Sequence, residues 1–84
     1  MEYQRVLQEL SRRVELAKHK RDEASARFDQ VIRDAPSGIP HPDGTERIRQ
    51  ASRAYEEARQ ELQDALLTHN DFILYGTVPP ELKE

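Results

Sequence analysis

Three histidines, four serines and one basic stripe are the residues whose types could do chemistry in this 84-residue chain. His19, His41 and His69 could ligate a metal ion, which needs several imidazole, thiolate or carboxylate donors brought to one point. Ser11, Ser25, Ser37 and Ser52 could act as nucleophiles if a histidine base lay within hydrogen-bond reach. Arg13, Lys20 and Arg27 recur at heptad spacing, with Arg12 and Lys18 beside them, and such a stripe could meet a phosphate backbone. The chain has no cysteine, which removes thiolate zinc sites, disulfides and cysteine nucleophiles.

These residues can act only where the elements carrying them bring them together. The chain breakers fall in two places. Pro36, Gly38, Pro40, Pro42 and Gly44 form one cluster, and Gly76, Pro79 and Pro80 form the other. The stretches between hold no Gly or Pro and are rich in Glu, Gln, Arg, Ala and Leu, so they read as two long helices. The expected elements are a helix over 3–34, a turn over 35–43, a helix over 44–75 and an extended, frayed tail over 76–84. Asp43 is the expected N-cap of the second helix, with Glu46 completing a capping box. Gly76 is the expected left-handed residue at its end.

Periodicity sets the faces. Tyr3, Leu7, Leu10, Val14, Ala17, Arg21, Ala24, Phe28 and Val31 alternate four- and three-residue steps along the first helix. Ile48, Ala51, Tyr55, Ala58, Leu62, Ala65, His69 and Phe72 do so along the second. Both are heptad seams. Setting Val31 opposite Ile48 places Phe28 against Ala51, Ala24 against Tyr55, Ala17 against Leu62 and Val14 against Ala65. Large side chains then face small ones, as close packing requires. The same register brings Lys20 near Glu61 where the two g positions meet. The fold reading is therefore all-α: an antiparallel two-helix hairpin of coiled-coil type, forming one domain over 1–84.

Placed on this hairpin, the histidines are far apart, with His19 on the outer face, His41 in the turn and His69 on the seam. No metal site, no cofactor and no catalytic set is expected, and none of the serines has a histidine partner in register. Pro36-Ser37-Gly38 is a turn rather than a phosphate loop. His41-Pro42-Asp43, between two helices, resembles the signature tripeptide of J-domain cochaperones, and Ala54-Tyr55 is similar to the Ala-Tyr of that family's following helix. The resemblance covers about a third of the chain. The chain departs from the family's pattern in lacking the short preceding helix with Tyr-x-x-Leu, and 34–40 is not a basic approach. The resemblance is not adopted as the reading.

Hydrophobic residues make up 36% of the chain and charged residues 35%, and so small an apolar share leaves a single hairpin thinly covered. Val6, Ile32, Leu66, Leu67, Ile73 and Leu74 fall off the seam, and Phe72-Ile73-Leu74-Tyr75 is apolar all round, which normally means burial, either beneath a tail that folds back or at a subunit interface. The expectation is a homodimer packed as a four-helix bundle, with Tyr3, Leu7, Leu10, Leu66, Phe72, Ile73 and Tyr75 at the interface and a possible protein partner at the open end of the hairpin. The expected role is non-enzymatic oligomerisation or protein interaction. The alternative is a small nucleic-acid-binding regulator using Arg13, Lys20 and Arg27, with a layout that would resemble Rop-type RNA-regulating hairpin dimers. The net charge of −3 gives no general attraction to nucleic acid or anionic membranes. No apolar run reaches membrane-spanning length and the first residues lack a signal-peptide core, so a cytoplasmic protein without membrane contact is expected.

Overall fold

The computed structural model describes residues 2–34 and 42–83, the side chains of Pro42 and Asp43 excepted. Helix α1 runs Glu2–Asp34 and helix α2 runs Pro42–Tyr75, followed by a short 3₁₀ turn over Pro80–Leu82. The two helices lie antiparallel along their length and form a rod of 58 × 19 × 16 Å. Their outer faces carry polar pairs one turn apart, including the ion pairs Glu15–Lys18 at 3.5 Å and Glu56–Arg59 at 3.0 Å and the His19–Glu23 contact at 2.9 Å. Exposed pairs of this kind add a few tenths of a kcal/mol each to the helix, about 0.2–0.5.

The seam has the register that large-against-small pairing predicts. Val14, Ala17 and Leu62 form one buried cluster with Ala65 against it. Lys20 reaches Glu61 across the g positions at 3.4 Å. Ala51 and Ala58 are buried, whereas Phe28, Val31, Ile48 and Tyr55 remain half-exposed, so the packing thins toward the turn.

Three local expectations change. Helix α2 opens at Pro42, whose preset φ and absent N–H suit a first helical position, so Asp43 falls inside the first turn rather than at the cap. The second change concerns the open end. Val6, off the heptad seam, is completely buried, while the seam residue Leu7 is only half-buried and Tyr3 is exposed. The third explains the second: the tail is neither extended nor frayed. After Gly76 it doubles back over the g flank of the hairpin, where Val78 and Leu82 pack on a cluster of Val6, Leu10 and Phe72. Pro79 is buried as well. Burying a side chain the size of Phe72 contributes about 1.5–3 kcal/mol.

The return starts at the C-terminus of α2. Gly76 has a φ of +71°, and its N–H donates to the Phe72 carbonyl at 2.9 Å. This is the left-handed helix cap expected of a glycine there. The Leu82 and Lys83 N–H groups donate to the Pro79 and Pro80 carbonyls at 2.9 and 3.2 Å, which closes the 3₁₀ turn.

Candidate functional site

At the open end the tail is fastened by two arginines of α1. Arg5 donates to the Leu82 carbonyl at 2.8 Å, and Arg13 to the Glu81 carboxylate at 2.8 Å. Arg13 also approaches Glu9 at 3.3 Å, and Glu9 takes a two-pronged contact from Arg12 at 2.6 and 2.9 Å. The Arg12 guanidinium, with Arg13 adding to it, holds the Glu9 carboxyl down from 4.5 to about 2. Arg13 likewise holds the Glu81 carboxyl below the usual carboxylate range. The exposed Tyr3 ring lies 4.9 Å from Phe72, tilted by 34°.

The expected interface residues therefore divide. Leu10 and Phe72, at 1% and 3% exposure, are sealed inside one chain by its own tail and offer nothing to a partner. Leu66, Ile73, Tyr3 and Tyr75 stay exposed. Leu66 and Ile73 are e positions, on the flank that the tail does not cover. Leu67 and Leu74 follow them on the next helical position, at 54% and 68% exposure. Leu62, Leu66 and Leu67 line a shallow groove of about 290 Å³ rimmed by Arg59, Gln63 and Asn70.

The basic stripe does not stand as three free cations. Arg13 is held by Glu9 and Glu81, and Lys20 by Glu61. Among the described residues Arg27 has no ion pair. The serines also change: Ser11, expected to lack a histidine partner, has its Oγ 3.5 Å from His69 Nε2. That is the outer limit of a hydrogen bond, longer than the 2.6–3.2 Å a general base needs, and among the described residues no carboxylate orients the ring. His19 pairs with Glu23 on the outer face, and His41 lies outside the described residues, as do the side chains of Pro42 and Asp43. Among the described residues no three His, Asp or Glu side chains converge on one point, and no helix is long and apolar enough to cross a membrane.

The residues that sequence reasoning missed are Arg5, Pro79, Glu81 and Leu82; Val6 stood out only as an apolar residue off the seam. The available signal was the four-residue step from Val78 to Leu82, which can present two apolar side chains to one surface. No family model matches this chain, and no curated protein or solved structure is significantly similar to it.

Proposed function

We propose that the chain is a non-enzymatic oligomerisation or protein-interaction module of the cytoplasm, and that a second copy docks on the e flank to give a four-helix bundle. The observation that carries this reading is the asymmetry between the flanks. The tail covers the g flank at the open end, whereas Leu66, Leu67, Ile73 and Leu74 stand one heptad apart on α2, away from the tail, with 38–68% of each exposed. Four large apolar side chains left in water on one side of so small a domain mark a contact surface. A symmetric pairing buries the same strip from both copies at once. Ser11, Ser25 and Ser52 share that flank and are small enough for close helix approach. The nucleic-acid alternative draws less support, because carboxylates already engage Arg13 and Lys20.

Light scattering across a wide concentration range, with helicity followed in the same samples, tests the proposal. The expected mass is twice the 9.8 kDa of one chain. The double variant Leu66→Gln/Ile73→Gln should fall to a monomer while keeping its helicity, since both side chains lie outside the intramolecular core. A wild type that stays a well-folded monomer throughout would refute the dimer.

A further inference from the structure

The g flank changes character along the hairpin. At the open end Arg13 faces Thr68 and receives the Glu81 carboxylate of the returning tail. One heptad on, Lys20 faces Glu61 at 3.4 Å. One heptad further, the same register sets Arg27 opposite Ala54, which has neither charge nor length. A groove of about 390 Å³ opens there. Arg27 and Arg47 reach into it beside Gln30 and Gln50, over a floor that includes Val31 and Ala51. Among the described residues neither Arg27 nor Arg47 has a carboxylate partner or a side-chain hydrogen bond.

Two guanidiniums that make no ion pair with any described residue, beside one apolar floor, form a cationic site. Arginine suits carboxylates because its planar fork matches their two oxygens. The chain shows what this flank accepts, since its own tail lies on it as an irregular segment with apolar side chains on the seam and one glutamate on Arg13. We infer that the groove at the turn end of the hairpin, between Arg27 and Arg47, binds an acidic peptide segment of a partner protein, its carboxylates on the two arginines and a small apolar residue on the Val31–Ala51–Ala54 floor. The Gln30 and Gln50 amides at the rim already donate to Asp34 and Glu46, so the two arginines carry the recognition. Among the described residues no aromatic lines the groove for a base to stack on, which favours a peptide over a single-stranded nucleic acid. The site lies on the opposite flank from Leu66 and Ile73, so it is independent of the proposed self-association.

Fluorescence anisotropy with a labelled peptide carrying two glutamates on each side of a valine–proline pair tests the inference at low salt. A glutamine version of the peptide and a labelled single-stranded oligonucleotide serve as the competing probes. The acidic peptide should bind, and the glutamine version should bind at least tenfold more weakly. Arg27→Gln and Arg47→Gln should each weaken binding at least tenfold, as should Ala54→Glu, which gives Arg27 an internal counter-charge. Arg21→Gln, at a seam position outside the groove and paired with Asp22, should leave binding unchanged. Circular dichroism confirms that each variant stays helical, as expected of exposed polar side chains. The inference is overturned if the peptide does not bind, if it binds the Arg27 and Arg47 variants as tightly as wild type, or if the oligonucleotide takes the site more tightly with the same arginine dependence.

Discussion

Gly76 fixes where the tail goes, and its replacement by alanine has a cost that can be worked from the structure. At a φ of +71° a Cβ crowds the neighbouring carbonyl, which costs an L-residue about 1–2 kcal/mol. A Cβ built on Gly76 meets no atom within 4 Å, so no packing clash adds to this. Alanine also restricts the unfolded chain, which returns about 0.4–1 kcal/mol. The balance is a loss on the order of 1 kcal/mol, equivalent to a fall in Tm of about 4–8 °C for a domain of this size. Gly76→Asn should lose less, because asparagine enters the left-handed region more readily. The assay is urea unfolding followed by circular dichroism, with protein concentration held fixed because self-association would make stability depend on it. A Gly76→Ala variant as stable as wild type would mean that the residue does not adopt positive φ and that the tail leaves α2 by another path. A loss above about 3 kcal/mol would exceed what backbone strain alone explains, and would mean that the open space around the residue is filled.

Two further outcomes follow from the open end. Phe72→Ala removes the aromatic body of the cluster beneath the tail and should cost about 3–5 kcal/mol, a large share of what so small a domain can hold. A loss under about 1 kcal/mol in the same urea assay would contradict its burial. Acid should loosen the tail. The Glu81 and Glu9 carboxyls are both depressed by arginines, so the stabilisation they give is complete above the ordinary carboxylate value of 4.5 and is lost as pH falls below it, down to about 2 for Glu9. Methyl resonances of Val78 and Leu82 followed by NMR should shift over that window. In Glu81→Gln they should hold their loosened positions at neutral pH, and identical titrations in variant and wild type would remove the Arg13–Glu81 contact from the account.

The seam was legible because its period is regular and its volumes alternate. Pairing Ala17 with Leu62 and Val14 with Ala65 needs only the heptad spacing and a short connection, and Lys20–Glu61 follows from the same register. Gly76 was legible because the last apolar run of α2 stops at it. The tail was not, because Pro79-Pro80 reads locally as an extended, solvated end, and its order comes from contacts with residues such as Arg5 that lie 77 positions away. Val6 was lost for the same reason. Its burial depends on the tail crossing the g flank rather than on facing α2, so no periodicity within α1 could reveal it. The division of the expected interface follows from this too, since Leu10 and Phe72 sit on the seam beneath the tail, whereas Leu66 and Ile73 are e positions on the flank it leaves open.

The fastening of Leu82 to Arg5 also bears on the order in which the molecule assembles. Contacts near the turn close short loops and cost little chain entropy, whereas the open end closes the longest loop in the domain. Once the helices have zipped as far as Tyr3 and Phe72, the tail needs only a few more residues to reach α1. Its seating is then a small, late and readily reversed step. Amide exchange should therefore divide the molecule into a slowly opening middle around Val14, Ala17 and Leu62 and a faster unit at 77–83 that opens without unzipping the helices. The cover over Val6, Leu10 and Phe72 would then have an opening equilibrium of its own, set by Gly76, Val78, Glu81 and Leu82 rather than by the hairpin as a whole.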